Sequence, residues 1–303
     1  MKSRAVVMRK MGGPEVLSLE ERELAPLARD EVRIRALASA VNHSDLEIRA
    51  GNWAIRRVPA LPYVPGLEVV GDVSEIGSGV DGLRAGDRVW TMMQGLGGVR
   101  AERDGGYAEH VTVSASAVAK LPASIDPIAF AAVGLAGVTA YEGLGKLGTL
   151  REKTIVVTGA SGGVGTLAVL LARTAGAHVI ALDRSSPLPK PSSADAVFDV
   201  VAGPIFSELI ASLRHGGRYC IVGAMGGGDV HFDAWSLLHA LTLTGYSTED
   251  LDGDGLRAAT KALLELKLPE VPVTVMPLGD AARAHAMLER REVRGRIVLV
   301  PGG

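Results

Sequence analysis

One short segment constrains the fold of this chain more than any other: a strand, a glycine-rich turn and a helix that follow one another directly. Residues 154–158 are a β-branched run typical of a buried strand. The turn from Gly159 to Gly165 carries four glycines, and apolar residues from Val164 to Leu171 then recur at helical spacing. Gly176 ends the helix. Strands and helices alternate beyond this point, which predicts a parallel sheet with crossover helices.

The glycine turn is a predicted binding site for the diphosphate of a dinucleotide. Backbone N–H groups at a helix N-terminus attract an anion, and glycines lack the Cβ atom that would block its approach. The alternative is that these glycines only permit a tight turn. The residues predicted to hold the diphosphate are Ala160, Ser161, Gly162, Gly163, Val164 and Gly165.

Two charged residues at the end of the next strand bear on which dinucleotide binds. Asp183 lies 21 residues after Gly162, where an acid that hydrogen-bonds the adenosine ribose is expected. A carboxylate there would repel the 2′-phosphate of NADPH, so Asp183 favours NADH. The neighbouring Arg184 can pair with that phosphate, so NADPH stays open. The alternative for Asp183 is a solvated loop charge.

The 303 residues suffice for two domains, and the pattern of predicted strands and helices changes once along the sequence. Alternating runs such as Glu31–Ala36 predict a β-barrel-like first domain, whereas from Ser124 strands and helices alternate. Strand-like residues near the C-terminus return to the first domain. We therefore predict one domain from residues 1–123 and 267–303, with an inserted dinucleotide-binding domain at 124–266.

Composition excludes several classes of protein. Lys and Arg number 32 against 34 Asp and Glu, without a long run of one sign, so we expect no nucleic-acid partner. The longest mostly apolar stretch, Pro127 to Tyr141, is too short to span a bilayer, so we expect no membrane association. A single cysteine, Cys220, fits a reducing compartment, and we expect a cytoplasmic protein.

Several spaced motifs resemble those of the medium-chain dehydrogenase/reductase superfamily, and within it the zinc-independent quinone oxidoreductase (zeta-crystallin-like) branch. The resemblance covers nearly the whole chain. It implies a GroES-like catalytic domain, a Rossmann coenzyme domain, a cleft between them and a homodimer built through the coenzyme domains. The segments that carry it are Val41–Asp45, Ile48–Gly51, Val64–Gly71, Gly86–Val89, Gly106–Glu109, Ala160–Gly165 and Gly295–Leu299.

The resemblance also indicates that no metal is bound. Zinc-dependent relatives place ligands where Asn42, Leu67 and Leu135 stand here, and none of these side chains is a usual zinc ligand. Without a Lewis acid, alkoxide chemistry loses its main source of charge stabilisation. The implied reaction is therefore hydride transfer from NAD(P)H to a quinone or an α,β-unsaturated carbonyl. The alternatives are an enoyl-thioester or polyketide-pathway enoyl reductase and a non-catalytic nucleotide- or partner-binding protein.

Further site residues follow from the resemblance alone. Asn42 and Thr139 would lie near the nicotinamide and its ribose, and Val222, Gly223 and Ala224 would line the nicotinamide end. Candidate catalytic residues are Asn42, Trp53 and Tyr63. Trp53 would stack on a flat substrate or serve as a core residue. Tyr63 would donate a proton or, between two prolines, be structural. His43 is a possible proton relay, or a packed or surface residue.

One departure from the family concerns residues 185–194. Relatives place a helix, a strand and a second helix there, whereas this chain has only ten residues with three prolines, which prevent a helix. We therefore expect a coenzyme sheet of five parallel strands, shortened by about one edge strand, with the strand at 178–182 exposed as an edge. The prolines and Lys190 protect that edge, or another subunit or partner covers it.

Overall fold

The chain divides into two units, each with its own sheet and core. The computed structural model describes residues 1–52, 61–93, 95, 103–248, 251–266 and 268–302. The first unit comprises Met1–Leu135, Glu249–Lys261 and Glu270–Gly303, and the second comprises Ala136–Thr248 and Ala262–Pro269. Contacts thus assign residues 124–135 to the first unit. The domain boundaries derived from the sequence stay a prediction.

The strands follow the predicted change of pattern near residue 124. Antiparallel pairing is dominant before this residue and parallel pairing after it. Period-two alternation predicted the strand that starts at Glu31, and it extends to Ala40. In chain order the strands are β1 (Lys2–Met8), β2 (Leu17–Glu23), β3 (Glu31–Ala40), β4 (Glu68–Ile76), β5 (Arg88–Met92), β6 (His110–Ser114), β7 (Ala119–Lys120), β8 (Thr154–Thr158), β9 (His178–Leu182), β10 (Ala194–Asp199), β11 (Leu213–Ile221), β12 (Thr242–Gly245), β13 (Val273–Pro277) and β14 (Arg296–Val300).

The helix Pro127–Ala131 begins at a cap residue. Asp126 precedes a proline at the first helical position, and its Oδ1 accepts a hydrogen bond from Ile128 N at 2.9 Å. The helices are α1 (His43–Ala50), α2 (Pro127–Ala131), α3 (Gly134–Gly145), α4 (Gly163–Thr174), α5 (Phe206–Ala211), α6 (Gly253–Leu264) and α7 (Ala281–Glu289). No helix in the described ranges is long and apolar enough to cross a membrane.

The main sheet of the first unit is centred on β3. Among the described residues it has seven strands in the order β13-β14-β3-β4-β5-β7, with β6 paired to the first half of β3. The last two strands, β13 and β14, are parallel to each other, and β14 is antiparallel to β3. The C-terminal residues therefore return to the first unit, as the sequence predicts. Strands β1 and β2 form a separate antiparallel pair.

Trp90 anchors the core of the first unit. Its side chain is fully buried on β5, with an edge-to-face contact to Phe130 of α2 at 5.1 Å between ring centroids. Its Nε1 donates to Thr260 Oγ1 at 2.9 Å. The residues of α2 and of 251–261 are thereby held against the β-sheet.

The sheet of the second unit is parallel throughout its described strands, in the order β12-β11-β10-β8-β9. The predicted five strands and the edge position of β9 are confirmed. Residues 185–193 form turns and extended chain between β9 and β10, as the three prolines require. On one side of the sheet, Phe206, Leu209 and Ile210 of α5 pack against Val197 and Tyr219.

Candidate coenzyme turn and polar clusters

The glycine turn leaves the N-terminus of α4 without a side-chain cap. Strand β8 ends at Thr158, Gly159 has a φ of 56°, and Gly162 is the N-cap residue, which lacks a side chain to cap the helix. A backbone bond from Thr166 N to Gly162 O, 2.9 Å long, closes the first turn. The N–H groups of residues 163–165 precede that bond and face the end of the helix, where an anion can accept from them.

Two glycines of the turn have no room for a side chain. A Cβ atom on Gly165 would lie 2.1 Å from Gly159 O, and one on Gly159 would lie 2.6 Å from the Val200 side chain. Residues 161–163, in contrast, are exposed. The inner glycines thus set the shape of the turn, while the outer ones leave its amides accessible. This arrangement fits the diphosphate of a dinucleotide coenzyme.

Asp183 contacts the turn directly, which the sequence did not predict. Its Oδ1 accepts hydrogen bonds from Ser161 N at 3.0 Å and from Ser161 Oγ at 2.8 Å. Its own N–H donates to Ser186 Oγ at 3.0 Å. Asp183 and Arg184 are both exposed. The carboxylate therefore fixes the turn from beside β9, and its role toward a ribose stays a prediction.

The residues predicted for the nicotinamide end lie in the same unit. Val222, Gly223 and Ala224 follow β11 directly, and Val222 N donates to Asp199 O at 2.8 Å. Helix α3 packs here, because a Cβ on Gly143 would lie 2.6 Å from the Val222 side chain. Thr139 is buried one turn earlier on the same face of α3. The structure thus brings Thr139 toward residues 222–224, while their contact with a nicotinamide stays a prediction.

In the first unit, Asn42 belongs to a buried cluster with Glu68 and Arg296. Asn42 Nδ2 donates to Glu68 Oε1 at 2.9 Å, and Asn42 Oδ1 accepts from Arg296 Nη2 at 2.5 Å. Glu68 Oε2 accepts from Leu135 N at 3.0 Å. Burial raises the pKa of Glu68, whereas Arg296, 3.8 Å away, and the hydrogen bonds lower it. The amide of Asn42 is thus oriented by two charged neighbours.

A zinc ion does not fit the three positions where the resemblance places its ligands. The carbonyl oxygen of Asn42 already binds a guanidinium, whose positive charge would repel a metal cation. Leu67 and Leu135 are buried and offer no donor atom from their side chains. No group of three His, Cys, Asp or Glu side chains suited to a metal occurs within the described part of the chain.

A second buried network begins at Asp45, three residues after Asn42. Asp45 Oδ2 accepts from Asn42 N at 2.8 Å. Burial raises the pKa of Asp45 to about 7, and Glu68 adds to the shift, while hydrogen bonds from Asn42 and from the Tyr107 hydroxyl oppose it. Asp45 is therefore poised to change charge near neutral pH.

The hydrogen bonds that link Tyr107 to His285 and Arg49 have a direction that follows from the chemistry of arginine. Arg49 Nη1 lies 3.2 Å from His285 Nδ1, and because arginine only donates, Nδ1 accepts. Burial lowers the pKa of His285 to about 3, so the ring is neutral and carries its proton on Nε2. This Nε2 donates to the Tyr107 hydroxyl at 3.2 Å. Arg49 also pairs with Glu289.

The remaining predicted catalytic residues lie in different surroundings. Tyr63 is only 2% exposed, and burial, with the nearby Asp45 carboxylate, raises the pKa of its hydroxyl. This favours the structural alternative for Tyr63, whose catalytic role stays a prediction. Trp53 lies outside the described residues. His43 is exposed at the start of α1, and partial burial together with Arg296 and Arg291 lowers the pKa of its ring.

Sequence reasoning did not identify Glu68 or Arg296 as members of this cluster. A signal was present, because Glu68 interrupts the apolar run from Val64 to Val70, and a charge within a buried strand needs a partner. The sequence does not reveal that the partner is Arg296, 228 positions later along the chain. Strand β3 brings the two together, because it pairs with β4, which begins at Glu68, and with β14, which begins at Arg296.

Comparison with known proteins links both units to characterised families. Residues 28–123 match the family described as alcohol dehydrogenase GroES-like domain, and residues 175–299 match the family described as zinc-binding dehydrogenase. The chain is 30% identical to the quinone oxidoreductase of Sus scrofa, in an alignment that covers 98% of this chain and 97% of that protein.

Two further proteins are similar to this chain. The 2-methylene-furan-3-one reductase of Solanum lycopersicum is 37% identical over 62% of this chain and 50% of its own length. The crystal structure of Escherichia coli quinone oxidoreductase complexed with NADPH superimposes with a TM-score of 0.81 and 27% identity, covering 98% of this chain and all of that one.

The buried Asp45 predicts a pH dependence of stability. Its pKa is raised from 3.8 in the unfolded chain to about 7 in the folded protein, so the unfolded chain loses a proton that the folded protein keeps. The contribution of Asp45 to the free energy of unfolding is therefore greatest at low pH. Relative to the Asp45→Asn variant, the wild type should lose about 3 kcal/mol of stability from pH 5 to pH 8.

Urea unfolding of both proteins at pH 5, 6, 7 and 8 measures this difference. The comparison cancels the opposing contribution of His285, whose lowered pKa removes stability as the pH falls below 6.5. A difference between the two proteins that stays constant over this range would contradict the assignment.

Proposed function

Because the chain belongs to the medium-chain dehydrogenase/reductase superfamily, we propose that it reduces a quinone or an α,β-unsaturated ketone with NAD(P)H, without a metal ion. Two observations together carry this proposal: the second unit has a helix N-terminus without a side-chain cap, and the positions that the resemblance compares with zinc ligands hold non-ligand residues in the first unit. Similar proteins named as quinone oxidoreductases support it.

The second unit holds the coenzyme through its backbone. The amides of residues 163–165 bind the diphosphate, Asp183 keeps Ser161 and the turn in place, and residues 222–224 with Thr139 receive the nicotinamide end. When bound, NAD(P)H supplies the hydride. The protein contributes position and the exclusion of water.

The acceptor class follows from the charge of the first unit. The guanidinium of Arg296 is offset by the Glu68 carboxylate and engaged by Asn42, so it is poorly suited to stabilise an alkoxide as a metal ion would. Quinones and enones need less help, because their conjugated skeletons delocalise the negative charge that develops on hydride addition. The name of the tomato relative, a 2-methylene-furan-3-one reductase, describes such an enone.

Purified protein should oxidise NADPH or NADH in the presence of a quinone such as 1,4-benzoquinone or an enone such as 3-buten-2-one, with a rate that EDTA does not change. The assay follows coenzyme absorbance at 340 nm. Fluorescence titration measures coenzyme binding separately. Turnover only with an enoyl-CoA would favour the enoyl-thioester alternative, and absence of coenzyme binding would favour the non-catalytic one.

The Gly163→Asp variant tests the proposed diphosphate site, and Gly163→Asn is its matched control. A carboxylate at the first helical position suits the helix dipole, so the fold is kept, but it repels the diphosphate. We expect coenzyme binding to be lost in this variant, and the uncharged Gly163→Asn variant to retain more of it. Equal affinity of Gly163→Asp and the wild type would contradict the proposed diphosphate site.

We further propose that Asp183 gives the site a preference for NADH. The Asp183→Ser variant should raise the affinity for NADPH relative to NADH by about fivefold, the effect of removing about 1 kcal/mol of charge repulsion. Dissociation constants for both coenzymes, from fluorescence titration, test this. The Ser161→Ala variant loses one of the bonds from the turn to Asp183 but keeps the carboxylate, so its ratio should match the wild type. An unchanged ratio in Asp183→Ser would contradict the preference.

We propose that a second copy of the chain binds at β12, which is an edge of the parallel sheet. The 3₁₀ turn just before this strand exposes 74% of Trp235 and 71% of Leu238, an apolar surface next to unpaired strand edge. Light scattering should give twice the 31.5 kDa chain mass. Leu238→Glu should shift this toward the monomer, whereas Leu188→Glu, beside the other edge, should not. A monomeric wild type would contradict the proposal.

A further inference from the structure

Asp199 is a fully buried carboxylate at the end of β10. The proposed coenzyme site does not include this residue. Its Oδ1 accepts from Thr158 Oγ1 at 2.5 Å, from Val201 N at 2.8 Å and from Ala202 N at 3.2 Å. Its Oδ2 accepts from Tyr219 OH at 2.6 Å and from Ala202 N at 3.0 Å. This carboxylate is satisfied entirely by protein donors.

The two side-chain donors belong to the strands on either side of β10, and the backbone donors belong to the loop that follows β10. Thr158 is the last residue of β8, and Tyr219 lies near the end of β11, on either side of β10. Burial, and then the Asp199 carboxylate, raise the pKa of Tyr219, so its hydroxyl keeps the proton that it donates. Asp199 thus joins the carboxyl ends of the three central strands, the edge where parallel sheets bind ligands.

One branch of this network leads to the glycine turn. Thr158 Oγ1, which donates to Asp199, also accepts from Val200 N at 2.9 Å. The Val200 side chain packs on Gly159, where a Cβ would lie only 2.6 Å from it, and Gly159 O in turn lies against Gly165 at the start of α4. The placement of residues 199 and 200 therefore determines where the helix N-terminus lies.

The other branch leads to the nicotinamide end. Val222 N donates to Asp199 O at 2.8 Å, Met225 N to Val200 O at 3.2 Å and Gly226 N to Val201 O at 2.7 Å. The bonds from Ala202 N to both carboxylate oxygens also hold Ala202 at a φ of 53°, a conformation that costs energy for a residue with a Cβ. The carboxylate therefore keeps the 199–202 loop in a shape it would not adopt alone.

We propose that Asp199 is a positioning residue for the coenzyme. It holds the diphosphate turn and the nicotinamide-binding segment 222–226 in fixed positions relative to each other, without touching the coenzyme. This inference rests on the proposed function. The inference goes beyond the proposed function because it assigns the geometry of the coenzyme site to one buried side chain, that of Asp199. A role confined to core stability would change the unfolding temperature but not the coenzyme affinity of the folded protein.

The Asp199→Asn variant tests the proposal. An amide of the same shape places an N–H₂ group where an oxygen accepted two hydrogen bonds, so at least one buried donor loses its acceptor. At a temperature well below its own unfolding midpoint, its dissociation constants for NADPH and NADH should rise by about tenfold, the order of one lost buried hydrogen bond. Fluorescence titration measures both, and circular dichroism the unfolding midpoint.

Asp195→Asn is a matched control on the same strand. Asp195 lies at the opposite end of β10, where its Oδ2 accepts from Thr154 N at 2.8 Å and from Arg214 Nη1 at 2.9 Å. This substitution should lower the unfolding midpoint and leave coenzyme affinity within about twofold of the wild type, because its partners do not lead to the turn.

Thr158→Val provides a second route if Asp199→Asn does not fold. It keeps the carboxylate and the shape of the side chain but removes the hydroxyl that links Asp199 to Val200, so coenzyme affinity should fall severalfold. Wild-type affinity in Asp199→Asn or, if that variant does not fold, in Thr158→Val would overturn the positioning role, as would an equal loss in Asp195→Asn. A wild type that binds neither coenzyme would overturn the proposed function as well.

Discussion

The proposed coenzyme site depends on a close approach for which glycine residues leave room. The backbone amides at the start of α4 must come within hydrogen-bonding distance of a diphosphate. Gly165 lets the helix begin against Gly159 O, and the absence of a capping side chain at Gly162 leaves the amides to an outside acceptor. Helix dipole and open amides act together, since both favour negative charge at the same place. Asp183 accepts hydrogen bonds from Ser161 of this turn, and the Asp199 network reaches the turn through Thr158 and Val200.

Buried charge in the first unit is compensated by pairing between side chains. Glu68 and Arg296 offset each other around the Asn42 amide, and Arg49 meets Glu289 while also donating to His285. A buried carboxylate without such partners would be costly. The three positions where the resemblance places zinc ligands hold an amide and two leucines, in a chain whose residues 175–299 match the zinc-binding dehydrogenase family. These side chains direct the proposed chemistry toward acceptors that carry their own charge delocalisation.

Much of the fold was predictable because it depends on local pattern. Alternation marked β3, the β-branched run marked β8, and prolines between β9 and β10 excluded a helix and so removed an edge strand. Local pattern does not fix every boundary: a 3₁₀ turn at Gly203–Ile205 leads into the short helix α5, which ends at Ala211, two residues before β11 begins at Leu213.

The sequence by itself determined the strand, glycine turn and helix at residues 154–174, and the amide and two leucines at the positions compared with zinc ligands, because both follow from residue types at fixed local spacing. Only the tertiary structure decided which charges meet. Asp183 binds Ser161 across 22 positions, Asp199 collects donors from β8 and β11, and Arg296 reaches Asn42 across 254 positions. Such contacts depend on strand order and register, which bring residues together that no local pattern relates.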